Sequence, residues 1–547
     1  MKDDEKLLTD EKKEEEDNNN KKSPLKYIII VILAIIIIGL TIFLVYYFIL
    51  REDKDKDKDK EKVKCESGYY LVNNTCEPYS FMATYHIDNK DENIDLINDR
   101  YYPYIERMYM NNTEFDKIIC NYTFSSIGNH KIYFYMNLSS LNSTRSLFFN
   151  ITNMVSIEFT TNFNTKNIYS MENFFLLCRS LTSIDLSNLD TSGVTNMVNM
   201  FGNCRSLTSL DLSHLDTSSS KDMSQLFSDC VSLKSLDLNK IDTSKVTNFG
   251  SMFYNCQSLT SLKISKINTS SAITISGMFR SCYNLTSIDV SHFDTSNLKS
   301  LSGIFNFCTS LISIDISNFN TSGVTGMEAV FANCYSLTSI NLSKFNTSSS
   351  LSMVSMFSGC HSLTSIDLSN FDTSKATNMV DMFADCFSLA TLNLSSFNTA
   401  SVTGMTNMFH GCESLVSLDV SNFDTSKVTS MIVMFMDCKS LTSVDLSSFN
   451  TQNVTSMTNM FFNCASLTSL DLSNFSGEEL HDMTSIFKNC IKLSYIDFPS
   501  VPETLYFDRL AFQNISKTGE IKVDKNIVTK IEEIFNSLDL NWTITEK

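Results

Sequence analysis

The chain has 547 residues, a formal net charge of −18 and five prolines. So acidic a chain excludes nucleic acid as a partner, and its length allows several regions of different character. Sixteen cysteines and seven histidines are present, but there is no close C-x-x-C pair and no two histidines stand at metal spacing. P-loop, G-x-S-x-G and G-x-G-x-x-G motifs are absent as well. The chain therefore reads as a non-enzyme with no cofactor and no metal.

Residues 1–26 are almost all polar and read as a disordered cytoplasmic tail. Within it Asp3, Leu7 and Leu8 fit an acidic dileucine sorting signal; the plain alternative is two leucines in a charged tail. Residues 27–50 carry no charge over 24 positions, enough at about 1.5 Å per residue to cross a bilayer core of about 30 Å. The stretch is longer than the apolar core of a signal peptide and lacks a small-residue cleavage site, so it reads as a retained, single-pass transmembrane helix. Near the membrane, Lys and Arg number five before the span (Lys12, Lys13, Lys21, Lys22, Lys26) and seven after it (Arg51 to Lys64), a count that by itself favours the reverse orientation. In the charged spacer 51–64, however, the later set alternates with Asp and Glu, and Asn-x-Ser/Thr sites lie only after the span. Asn73, Asn121, Asn137 and Asn150 are the candidate N-glycosylation sites. The reading is a plasma-membrane glycoprotein with its N-terminus in the cytoplasm and its C-terminal repeats outside the cell.

Residues 65–79 form a cysteine-bounded loop. A disulfide between Cys65 and Cys76 fits an extracellular address; two unrelated thiols are the alternative. Residues 80–153 carry aromatic and β-prone runs without a clear period, and read as an N-terminal cap on the repeats.

From 154 to 498 the chain is periodic. Counting by 26 from Cys178 lands on a cysteine at every step to Cys490, thirteen in all. Phe stands three residues before each and Leu three after. Such a period means one unit stacked on copies of itself. In the unit from Cys360, Thr364 to Leu368 alternates, as a short half-buried strand does. Asp372-Thr373-Ser374 then supplies turn residues. Ala376, Met379, Met382, Phe383 and Cys386 come next, at the spacing of one helical stripe. This predicts an α/β solenoid of the leucine-rich-repeat horseshoe type, with parallel strands on the concave face and short helices on the convex face. Residues 499–547 read as a C-terminal cap.

The units "LTSIDLSNFDTSKATNMVDMFADC" and "LTSVDLSSFNTQNVTSMTNMFFNC" resemble the BspA-like leucine-rich repeats of bacterial and protozoan surface proteins. The layout resembles the membrane-anchored protozoan members. The resemblance implies an adhesin whose partners are host cells, matrix proteins or other microbes, and it supplies no catalytic residues.

Two columns carry chemistry. The cysteines close the apolar stripe and read as buried thiols rather than a metal array. The other column is a row of aspartates on the strand face, Asp185, Asp211, Asp237, Asp289, Asp315, Asp367, Asp419, Asp445 and Asp471, interrupted by Asn341 and Asn393 and reversed at Lys263. Asp289, Asp315, Asp367, Asp419 and Asp445, with Ser365 beside them, form the candidate ligand face; a solvated polar face is the alternative. The function expected is surface adhesion through the solenoid. The rival is a structural coat protein whose repeats self-associate.

Overall fold

The computed structural model describes residues 65–547 apart from 67, 74, 476–478 and 501–504. Contacts divide the chain into Met1–Cys65 and Glu66–Lys547. The tail with Asp3, Leu7 and Leu8, the apolar span and the charged spacer lie outside the described residues. Among the described residues no helix is long and apolar enough to cross a membrane.

The second unit is a solenoid of parallel turns. On one side, short strands pair in register with the next turn: Ser183–Asp185 with Met154–Phe159, Ser235–Asp237 with Ser261–Lys263, and Ser469–Asp471 with Tyr495–Asp497. Ser417–Leu418 pairs with Ser443–Val444 in the same way; several other turns form no hydrogen-bonded strand there, as at 364–368, although exposure still alternates. The opposite side carries the more continuous ladder. It runs from Ser143↔Ser170 through Asn378↔Gly404 and from Ser430 to Tyr506.

The predicted helices on that opposite side are not formed, which corrects the reading from periodicity. Met379, Met382, Phe383 and Cys386 are all buried, as the stripe required. The backbone between them, however, is a run of successive turns. Asp381 and Asp385, four residues apart, both have φ of 58°. This is the left-handed region that a right-handed helix cannot contain. Alternate amides then do two different jobs. Met379, Asp381, Phe383 and Asp385 donate to carbonyls of the next turn at 2.7–3.1 Å. Met382, Ala384 and Cys386 donate three residues back within their own turn at 3.1–3.3 Å. The same two left-handed columns recur along the solenoid, at Asn199 and Asn203, at Asn459 and Asn463, and in the turns between. They could have been read from Asn, Asp, Gly and Ser recurring at two positions four residues apart.

With no helix to widen that side, the reason for placing the strands on a concave face is gone. Equivalent phenylalanine rings from Phe175 to Phe461 stack at 5.5–6.0 Å on the turn side. Phe345, Phe371 and Phe397, which come after the strands, are 6.5 Å apart.

A buried threonine column ties the corner between the two sides. Thr373 Oγ1 donates to the Asn398 carbonyl at 2.8 Å and accepts the Asn398 amide at 2.8 Å. The cysteines are also paired with the preceding turn: Cys386 Sγ donates to the Phe357 carbonyl at 3.2 Å.

At the N-terminal end the strand Phe81–Ile87 lies antiparallel between Met154–Phe159 and Gly128–Met136, and Ile105–Met110 lies beyond. The first turn begins inside the region read as a cap. Thr144, Ser146, Phe148 and Asn150 donate to the next turn at 2.8–3.0 Å, and Ser146 and Asn150 have φ of 63° and 62°. Ile151, next after the left-handed Asn150, stands where later turns have Cys. At the other end Tyr495–Asp497, Thr518–Val523 and Asn541–Glu546 extend the parallel sheet. The α-helix Val528–Ser537, alone of its type among the described residues, precedes the last strand.

Val433 occupies a left-handed position with φ of 50°, where the flanking turns have Asn407 and Asn459. A β-branched residue is strained there, so Val433→Asn should raise unfolding stability by about 1 kcal/mol, read by chemical denaturation. Burial pushes the Cys386 thiol up to about 12, so Cys386 should resist alkylation in the native protein and react once it is denatured; rapid native labelling would contradict the packing.

Candidate functional face

The strand side presents its residues one per turn. Ser365 and Asp367 are exposed, while Ile366 and Leu368 between and after them are buried. Asp289, Asp315, Asp419 and Asp445 are exposed at the equivalent positions. In-register pairing such as Ser417↔Ser443 carries each column along the solenoid axis. The five aspartates and Ser365 therefore share one face, and they form a row rather than converging on a pocket.

The aspartates also serve the backbone. Asp367 Oδ1 accepts the Ser369 amide at 3.0 Å. Each aspartate of the row from Asp185 to Asp471 accepts the amide two residues on in the same way, at 2.9–3.1 Å. This caps the turn that ends the extended segment. Asn341 and Asn393 make the same bond at 3.1 and 3.0 Å, which explains why they can stand in the row. Lys263 cannot cap; its Nζ instead lies 3.3 Å from Asp237 Oδ2 on the preceding turn.

Hydrogen bonds from the hydroxyl and the backbone amide of the serine two residues on hold the carboxyls of Asp289, Asp315, Asp367, Asp419 and Asp445 below their ordinary value. Like charges oppose the effect more weakly: Asp289 raises Asp315, and Asp419 and Asp471 raise Asp445. A second row with the same geometry, including Asp372 and Asn398, caps the next corner and was not recognised as such from sequence.

The remaining sequence candidates are dispersed. Asn73, Asn121, Asn137 and Asn150 are all exposed. Asn137 Nδ2 donates to Glu106 Oε1 at 3.0 Å. Cys65 and Cys76 are each disulfide-bonded. Cys120 is a free, half-buried thiol, and burial pushes its pKa up. No two histidines stand at metal spacing in the sequence, but the fold brings His410 to 3.6 Å from Asp385 and 3.7 Å from Asp437 on the turn side.

A family model described as "Mycoplasma protein of unknown function, DUF285" matches residues 142–258, 223–314, 300–415 and 388–496. Together these cover more than half of the chain. The chain belongs to this family. The first DUF285 match begins at 142, beside the first turn of the ladder rather than at the first periodic cysteine. No curated protein matches the chain. Among solved structures, the crystal structure of a TLR13–ssRNA13 complex is similar at 13% identity, over 72% of this chain and 62% of that one, with a TM-score of 0.20. The chain thus spans less than two thirds of that structure, and the score is too low for the likeness to bear on fold or function.

A carboxyl held low in the folded state contributes stability that is present above its unfolded pKa and lost as pH falls through the folded value. The solenoid should therefore weaken as pH falls below the ordinary carboxylate range. At neutral pH, Asp367→Asn should lower the thermal midpoint less than Asp367→Ala, because the amide oxygen still caps the turn but without the carboxylate's charge. Equal midpoints for the two variants in a thermal melt would remove the capping role.

Proposed function

We propose that this chain is a non-enzymatic, surface-displayed binding protein that meets host cells, matrix proteins or other microbes through its strand face. What supports the reading is the exposed Ser and Asp columns repeated in register from turn to turn. Each of the five carboxylates uses Oδ1 for its own backbone and is itself exposed, so a ligand would gain many weak contacts along the row instead of one deep one. The BspA-like resemblance supports adhesion, and the uncharged stretch 27–50 together with the disulfide-bonded Cys65 and Cys76 supports a single-pass plasma-membrane glycoprotein with its repeats outside.

The test is a variant with Asp289, Asp315, Asp367, Asp419 and Asp445 all changed to Asn. The caps survive, as at Asn341 and Asn393, so circular dichroism should match the parent. Binding of the ectodomain to host cells should fall strongly and lose its salt dependence, since exposed charges are screened over about 10 Å at 0.1 M salt. A folded variant that binds like the parent would remove the acidic row as the adhesive surface.

A further inference from the structure

Where the aspartate row is interrupted, the sequence reads Asn341-Leu342-Ser343 and Asn393-Leu394-Ser395, and each triplet is an Asn-x-Ser acceptor. Both asparagines are exposed. Each commits Oδ1 to the turn cap, and among the described residues Nδ2 of neither has a hydrogen-bond partner. Asn268, Asn320 and Asn346, in the second capping row, share this arrangement, whereas some acceptor triplets differ. Asn453 Nδ2 donates to the Ser426 carbonyl at 2.7 Å, and Asn514 Nδ2 donates to Asn489 Oδ1 at 2.9 Å. A substituent on either of those nitrogens would disturb a bond that the fold uses. At Asn341 and Asn393 it would disturb none. A shallow cleft of about 330 Å³ also opens beside Asn393, lined by Thr391, Ser417, Asp419 and the edges of Ile366 and Leu392.

We propose that Asn341 and Asn393 carry N-linked glycans, which places two sugar chains within the candidate ligand face itself. The inference rests on the repeats being outside the cell. In the transfer, Nδ2 forms a bond to the anomeric carbon of a lipid-linked oligosaccharide diphosphate. The bond from that carbon to the diphosphate oxygen breaks, the amide gives up one proton, and the lipid diphosphate leaves. Oδ1 keeps its bond to the amide two residues on, so the cap persists in the glycosylated protein. Asp367 lies one turn from each glycan, a step of about 5 Å, and is covered from both sides. The row is thereby divided, and the parts open to a protein ligand are Asp185 to Asp315 and Asp419 to Asp471.

The full chain is expressed in a glycosylating eukaryotic host and treated with peptide N-glycosidase in heavy-oxygen water, which converts each occupied asparagine to a labelled aspartate. Mass spectrometry should find the label at Asn341 and Asn393 as well as at Asn121 and Asn150. Label at Asn121 or Asn150 with none at Asn341 and Asn393 overturns this proposal and leaves the outside orientation standing. No label at any acceptor overturns both. A second variant, Ser343→Ala with Ser395→Ala, removes both acceptor triplets and keeps both asparagine caps. It should run faster on a gel by two glycans and bind more of a soluble polylysine probe than the parent. Unchanged mobility would overturn the proposal independently.

Discussion

The structure depends on a division of labour between alternate backbone amides on the turn side. From Met379 to Asp385, every second N–H reaches the next turn and the ones between close short turns of their own. Buried amides must find partners, and here they find them without helix or conventional strand. This requires a left-handed residue twice in every turn, and the chain meets the requirement chiefly with Asn, Asp, Ser and Gly. Because each amide partner lies one turn away, the ladder sets the spacing of the Phe and Cys columns inside it.

This arrangement explains how a low-complexity surface coexists with a well-packed interior. The inward positions are filled by Leu, Phe and Cys, with Met, Ile or Val beside them, in turn after turn. Equivalent side chains stack on one another, so one solution to packing serves the whole solenoid. Polar residues at the corners are also committed. Thr373 is buried and bonded to the next turn, and Asp367 and Asp372 each cap a turn. Much of what reads as a repetitive polar coat is therefore backbone hydrogen bonding carried out by side chains.

The period, the inward positions and the outward aspartates were legible in the sequence, because burial depends on which residues recur. The backbone between them was not. Ala376, Met379, Met382, Phe383 and Cys386 fit a helical stripe, and the run of turns buries the same residues, so hydrophobic spacing alone could not separate the two. Asp381 and Asp385 held the distinguishing signal, but only if read as candidates for positive φ. The first turn escaped notice because Ile151 stands where later turns have Cys. For the candidate face, the row was visible while its second role was not. The capping bond joins Asp367 to the backbone of Ser369, and a periodicity of exposed charge says nothing about where one of the two oxygens points.

That shared bond has a consequence for how such a protein can vary over generations. The backbone recognises only the inner oxygen of the residue at the strand's end. Whether the outer atom is a carboxylate oxygen, as at Asp367, or an amide nitrogen, as at Asn341 and Asn393, is invisible to the fold. One base change in a codon can exchange the two, altering the charge at a single turn while the scaffold keeps its cap. The face can therefore drift under selection from whatever it meets, one turn at a time, with each cap kept.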